Sequence, residues 1–178
     1  MSLENWLTGE RVPHALIGGV AVSLTAQPRL TNDVDAVIWL DRPQWESLIA
    51  AGVVHGFHPR ISNVIEFAER ARVLLLTHTP TAINVDISFG ALPFEKEMID
   101  RAQPLDLRGT LLRISTPEDL VIMKAVAHRP KDALDIGSIV SVTPNLDVNR
   151  IRRWVKDFAD VLEAPELLAD LNRILGPK

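Results

Sequence analysis

The 178-residue chain contains no cysteine, which excludes disulfide bonds and metal sites built on thiolates. It also has no apolar run near the ~20 residues that a membrane-spanning helix requires, and no signal peptide is evident in it. These absences predict a cytoplasmic protein that does not interact with membranes.

The chain also lacks an excess of positively charged residues. The chain carries 19 lysines and arginines against 23 aspartates and glutamates, for a net charge of −4. This balance argues against a generally basic surface for nucleic acids, although it leaves room for local arginine contacts. An apolar fraction of 47% with 24% charged residues is typical of a globular protein with one domain and, at most, a small helical extension.

The most informative pattern lies near the N-terminus. An apolar run, Ala15–Ile17, leads into Gly18 and Gly19, a short helical segment follows, and a second apolar run opens with Asp33 and Asp35. Side chains at positions i and i+2 of a strand share one face, so the two carboxylates can ligate one hard cation such as Mg²⁺. Two glycines before a helix let backbone N–H groups approach a phosphate. The pattern therefore indicates phosphoryl or nucleotidyl transfer.

A third carboxylate lies in a later strand. The pattern predicts a hairpin of Val73–Thr77 and Ala82–Phe89, and in its second strand Asp86 stands between Val85 and Ile87. Acids are depleted in strands. Asp86 therefore either completes the metal site or lies on the solvated face of a half-exposed sheet.

The remaining elements follow from periodicity. Gly52 is expected to end a helix that begins after Asp41, with His55 and His58 in the loop beyond it. Residues 105–108 and 110–114 predict a second hairpin, and helices dominate from Thr116 onwards. The expected fold is α/β (α+β), in which helices flank a sheet and a helical segment follows.

The order of glycine pair, helix, Asp-x-Asp and later aspartate resembles the minimal nucleotidyltransferase domain of the DNA polymerase β superfamily. It is most similar to bacterial toxin–antitoxin nucleotidyltransferases of the AbiEii/MNT type. The resemblance covers about the first 90 residues and, less specifically, residues 116–140. It implies a mixed nucleotidyltransferase sheet in a core of residues 1–115 and a helical region of residues 116–178 packed on that core. Many members have Gly-Ser where this chain has Gly18-Gly19, which leaves only backbone donors for a phosphate.

The resemblance also implies roles for individual residues. Lys124, in an apolar helix, precedes Arg129-Pro130-Lys131-Asp132, which is similar to a segment that follows the catalytic domain in the AbiEii-like families. There the lysine is taken to face the nucleotide and the aspartate to support the site. The alternative for Lys124 is a side chain that reaches solvent from the helix edge. Three groups result: catalytic and metal-binding Asp33, Asp35 and Asp86; nucleotide-binding Gly18, Gly19, Arg29, Thr31 and Lys124; and supporting Arg129 and Asp132.

The function implied is a nucleotidyltransferase that uses Mg²⁺, two ions in the family's mechanism, to move an NMP from an NTP to an acceptor hydroxyl on RNA or a protein. It would act as a toxin–antitoxin component with a partner protein. Two alternatives stay open: a non-catalytic relative that binds a nucleotide or a partner, as a regulator or antitoxin, and a small-molecule nucleotidyltransferase of the aminoglycoside-modifying kind. An RNA end would be contacted by scattered arginines: Arg101, Arg108, Arg113 and the cluster at residues 150–156.

Overall fold

The structure, a computed structural model, describes residues 2–28 and 30–176. Strands within these ranges form one seven-stranded sheet in the order β3-β4-β5-β2-β1-β7-β6. The strand bounds are β1 His14–Ile17, β2 Asp33–Ile38, β3 Phe57–Pro59, β4 Val73–His78, β5 Ile83–Phe89, β6 Gln103–Leu107 and β7 Thr110–Ile114.

Helices fill most of the remaining chain. Their bounds are α1 Ser2–Gly9, α2 Gly18–Thr25, α3 Trp45–Val54, α4 Val64–Ala71, α5 Pro93–Arg101, α6 Pro117–Ala127, α7 Pro130–Val142, α8 Val148–Val161 and α9 Glu166–Leu175. No helix in the described ranges is long and apolar enough to cross a membrane.

The sheet is mixed, which confirms the expected fold class. Strand β2 pairs antiparallel with β1 and parallel with β5, while β1 pairs parallel with β7. The hairpins β4–β5 and β6–β7 are antiparallel, as their sequences predict. Parallel pairing of β2 and β5 requires a long crossover, and α3, β3, α4 and β4 supply it.

The chain divides into two compact units. One comprises Met1–Val20 and Leu30–Ser115 and contains the sheet, whereas the other comprises Ala21–Arg29 and Thr116–Lys178 and is helical. The boundary between the units also falls within α2, between Val20 and Ala21, and is therefore not a single cut after residue 115. The division into residues 1–115 and 116–178 stays a prediction.

A large part of the core of the sheet unit packs on the face of the sheet opposite the carboxylates. Leu74, Leu76 and Ile87 from β4 and β5 are almost fully buried there, and the indole of Trp45 stacks on Phe89 with ring centroids 3.7 Å apart. Burial of a large apolar side chain stabilises a fold by about 1.5–3 kcal/mol. Burial of these side chains therefore fixes the register of the strands. The register in turn determines which side chains lie on the opposite face of the sheet.

Helices α6 and α8 of the helical unit start at capping residues. Thr116 Oγ1 accepts a hydrogen bond from the backbone N–H of Asp119 at 3.3 Å and starts α6, as its sequence predicts. Asp147 caps α8 in the same way, accepting from the backbone N–H of Arg150 at 2.9 Å. Leu120, Ile151 and Leu171, from three different helices, are almost fully buried in this unit.

Two local predictions are wrong. Gly52 does not end a helix: α3 continues to Val54, and a β-carbon on Gly52 would lie 2.5 Å from a ring carbon of Trp6. The glycine is explained by the close packing of that indole. His58 lies in β3 rather than in a loop, because the segment Phe57–Pro59 pairs with β4.

Candidate active site

The pairing of β2 with β5 brings the three predicted carboxylates to one face of the sheet. Asp35 is directly opposite Asp86 in the parallel register, and Asp33 precedes Asp35 by two residues on the same face. Val85 and Ile87 point to the buried core on the other face. Because neighbouring strands lie roughly 4.8 Å apart, side chains opposite one another in this register are immediate neighbours.

Gly18 provides the space that the carboxylate of Asp35 occupies. Its φ of +67° favours glycine, and a β-carbon built on it would lie 2.5 Å from Asp35 Cγ. Ile17 pairs with Asp35, so the end of β1 and the start of α2 meet the carboxylate directly. Gly19, which is buried, follows in the first turn of α2. The N–H groups of a first helical turn have no partner within the helix and can bind an anion.

Arg60 belongs to this site, although the sequence did not single it out. Its guanidinium forms an ion pair with the Asp86 carboxylate. Its backbone N–H donates to Leu75 O at 3.0 Å, and Leu75 is opposite Asp86, so the arginine side chain crosses β4 to reach β5. With 27% and 33% of the two side chains exposed, such a pair contributes only about 0–1 kcal/mol. The contact is therefore easily exchanged.

The pKa of Asp86 is shifted mainly by burial and, to a smaller extent, by its charged neighbours. Burial raises its pKa, the Arg60 charge lowers it, and the negative charge of Asp33 raises it again, so that the pKa lies above its usual value of 3.8. A nearby like charge disfavours ionisation, and a cation bound between the carboxylates relieves that repulsion.

These carboxylates have the donor chemistry for Mg²⁺, which prefers oxygen ligands. Asp33, Asp35 and Asp86 share one face, and Gly18 leaves room for Asp35. They do not already surround a common point: in residues 2–28 and 30–176 no three acidic or histidine side chains are grouped closely enough to hold an ion. Asp33, Asp35 and Asp86 are the residues that would hold Mg²⁺, and this assignment stays a prediction.

Thr31 holds Asp33. Its hydroxyl donates to Asp33 Oδ1 at 2.8 Å and lies 3.2 Å from the backbone oxygen of the same residue. The interaction orients a carboxylate that is otherwise exposed. A contact of Thr31 with nucleotide stays a prediction, and Arg29, predicted for the same role, lies outside the described residues.

The helical unit contains a buried ion cluster around Lys124. Its Nζ lies 3.1 Å from Asp132 Oδ1 and 2.8 Å from Asp135 Oδ2, with 6% of the lysine side chain exposed. The alternative of a lysine that reaches solvent from the helix edge is therefore wrong. A contact of Lys124 with phosphate stays a prediction.

Asp132 joins Lys124 to Arg129. Arg129 Nε donates to Asp132 Oδ2 at 2.7 Å, so this one carboxylate contacts both basic residues. A supporting role of Arg129 and Asp132 in nucleotide binding stays a prediction. Burial raises the pKa of Asp132, but hydrogen bonds from Arg129 and Lys124 outweigh it and hold the pKa below its usual value.

Two of the arginines expected at an RNA end are occupied elsewhere. Arg150 is buried, and its Nη1 lies 2.6 Å from Asp119 Oδ1. The guanidinium of Arg113 donates to backbone oxygens of His14, Ile99 and Ala102 within the sheet unit. Both arginines connect elements of the fold, and this structural role explains their presence better than contact with RNA does.

Comparison with known proteins places the chain among nucleotidyltransferases. The model of the family described as "Nucleotidyltransferase of unknown function (DUF6036)" matches residues 7–168. The search of curated proteins found no match.

Solved structures share the fold at low sequence identity. An antigenic nucleotidyltransferase-like protein from Paracoccidioides brasiliensis is 17% identical, with a TM-score of 0.58 over 96% of this chain and 88% of that one. The antibiotic-resistance factor ANT(2'')-Ia is 14% identical, with a TM-score of 0.61 over 93% and 91%. The lincosamide antibiotic adenylyltransferase LnuA, solved with lincomycin, is 15% identical, with a TM-score of 0.55 over 79% and 94%.

Proposed function

The chain belongs to the nucleotidyltransferase family DUF6036, and we propose that it transfers an NMP from an NTP to an acceptor hydroxyl, with Asp33, Asp35 and Asp86 as catalytic carboxylates. The observation that carries the proposal is the parallel register of β2 and β5, which puts Asp35 opposite Asp86 and Asp33 beside them. Residues 1–115 would form the catalytic core and residues 116–178 its helical region.

In this reaction the acceptor oxygen forms a bond to the α-phosphorus, the bond from that phosphorus to the bridging oxygen breaks, and pyrophosphate leaves. Mg²⁺ held by the three carboxylates would stabilise the charge on the attacking and leaving oxygens. Asp86 would also take the proton of the acceptor hydroxyl as it attacks the α-phosphorus.

The nucleotide would lie on the Gly18 side of the carboxylates. Backbone N–H groups at Gly18 and Gly19 would bind its outer phosphates, since no serine hydroxyl is present at position 19. Arg29 and Thr31 would contribute further contacts, and Lys124, held by Asp132 next to Arg129, would contact phosphate.

The identity of the acceptor distinguishes three more specific candidate functions. The motif order supports a toxin–antitoxin enzyme of the AbiEii/MNT type that modifies RNA or a protein and is controlled by a partner protein. The fold shared with ANT(2'')-Ia and LnuA favours a second candidate, a nucleotidyltransferase of small hydroxylated compounds. The third candidate, a non-catalytic nucleotide- or partner-binding regulator, would keep the carboxylates without using them.

The test is to incubate the protein with each α-labelled NTP and Mg²⁺, together with total RNA, a cell lysate, tobramycin or lincomycin. Label should appear in one acceptor class, and chelation of Mg²⁺ or Asp35→Asn should abolish it. If no NTP gives labelled product with any acceptor while Mg²⁺–NTP still binds, the non-catalytic alternative replaces the transferase.

A further inference from the structure

A polar surface runs from the carboxylates to the edge of the sheet. Asn84 on β5 is opposite Asp33, Thr77 on β4 is opposite Asn84, and His58 on β3 is opposite Thr77. Residues opposite one another share a face, so these side chains follow one another across four strands. Thr77 Oγ1 donates to Asn84 Oδ1 at 3.0 Å, which fixes the middle of the row.

Arg60 lies in the neighbouring row on the same face, beside Asp86. We call His58, Arg60, Thr77 and Asn84 the β3–β5 polar surface. It extends from Asp86 away from Gly18, because β1 and α2 lie on the opposite side of β2 from β5. It therefore lies on the side of the carboxylates from which an acceptor would approach if the nucleotide lies against Gly18.

The composition of this surface determines which charge an acceptor must carry to bind there. None of its four members is acidic, Arg60 is a permanent cation, and the others offer hydrogen-bonding groups. A polycationic acceptor needs carboxylates around it, whereas a guanidinium matches the geometry of a phosphate or carboxylate group. Arg60 now forms a weak, partly exposed pair with Asp86, so an incoming anion can displace that carboxylate.

We propose that the β3–β5 polar surface is the acceptor subsite and that it takes an acceptor whose attacking hydroxyl lies close to an anionic group. Arg60 binds that group and releases the Asp86 carboxylate from its ion pair. The assignment rests on the proposed transferase function.

The first test is binding of ribose 5-phosphate, which has hydroxyl groups and a phosphate but no base, with ribose as the uncharged comparison. Arg60→Gln should weaken ribose 5-phosphate binding about tenfold, the effect of losing one charge-assisted hydrogen bond. Asp86→Asn should tighten it, because Arg60 then has no competing carboxylate. Arg70→Gln is the matched control, since Arg70 is 73% exposed on α4 and pairs only loosely with Glu66, at 3.6 Å.

Unchanged ribose 5-phosphate binding in Arg60→Gln, in a variant whose thermal unfolding matches the wild type, would overturn the assignment. Equal binding of ribose and ribose 5-phosphate would overturn it as well. A short single-stranded RNA that binds more tightly than ribose 5-phosphate, again through Arg60, identifies the anion as a nucleic-acid phosphate. Preference for ribose 5-phosphate identifies a small phosphorylated compound.

These outcomes separate the subsite from the reaction. Arg60-dependent binding of ribose 5-phosphate without nucleotidyl transfer to any acceptor supports the subsite and removes the proposed function. If the protein transfers NMP to tobramycin and Arg60→Gln does not change the rate, the proposed function is supported. The same result contradicts the subsite assignment.

Discussion

The carboxylate of Asp35 lies against the α-carbon of Gly18, in the space that any other residue's β-carbon would fill. The carboxylate of Asp35 and the start of α2 thus depend on each other for their positions. A side chain added at Gly18 would therefore first clash with the carboxylate of Asp35.

Gly18→Ala should therefore abolish Mg²⁺-dependent nucleotide binding and destabilise the fold by more than the ~1–2 kcal/mol that a left-handed conformation costs a residue with a side chain. Gly109→Ala is the control. Gly109 also has a positive φ, +83°, but no atom lies within 4 Å of a β-carbon at that position. Chemical denaturation of both variants measures the difference, and an equal loss of stability in both would contradict the close approach of Asp35.

Asp33→Ala should abolish Mg²⁺-dependent nucleotide binding and leave the fold intact, because Asp33 is exposed and its loss relieves repulsion within the site. The pKa of Asp86 should fall in this variant, since the Asp33 charge contributes to raising it. Nucleotide titration by calorimetry and NMR titration of Asp86 measure the two effects. Asp100→Ala, at an exposed pair with Lys96, is the control and should change neither. Loss of folding in Asp33→Ala would point to a structural role.

Lys124→Met should destabilise the protein by at most about 3–5 kcal/mol, because it removes the cation shared by the buried carboxylates of Asp132 and Asp135 while Asp132 keeps its contact with Arg129. Lys96→Met removes an exposed lysine that pairs with Asp100 and should cost no more than about 0.5 kcal/mol. Urea unfolding compares them. If the folded variant also binds NTP about 1–3 kcal/mol more weakly, Lys124 contacts phosphate as well; unchanged NTP affinity confines it to the buried cluster.

Asp132 should make stability depend on pH. Its pKa is lowered in the folded protein, so its contribution is fully present above the usual value of 3.8 and is lost as the pH falls through the folded value. Asp132→Asn should therefore be less stable than the wild type at pH 7, and the difference should shrink as the pH falls below 3.8. Urea midpoints measured between neutral and acidic pH test this, and a constant difference would contradict it.

The local part of the site could be predicted from the sequence. Asp33 and Asp35 share a face because a strand alternates, and the pattern around Asp86 identifies its strand without reference to the rest of the fold. The helix start at Thr116 was equally accessible, since a cap is a contact between residues three positions apart.

Arg60 was not accessible in this way. Its pairing with Asp86 spans 26 positions and depends on β3, a strand of 3 residues, lying next to β4. Periodicity has no signal in so short a strand. Gly52 was misread for a related reason: a glycine within α3 looks like a helix end until the Trp6 indole that packs on it, from another helix, is known.

Strand order also has a consequence for how the nascent chain folds. The block β3-β4-β5-β2-β1 comes entirely from residues up to Phe89, whereas β7, which covers the outer edge of β1, ends at Ile114. The face that bears the carboxylates can therefore assemble on the ribosome while that edge of β1 is still unpaired. An open strand edge is a template for self-association. Between the synthesis of β5 and the arrival of β7, this edge is where we expect chaperones to be needed.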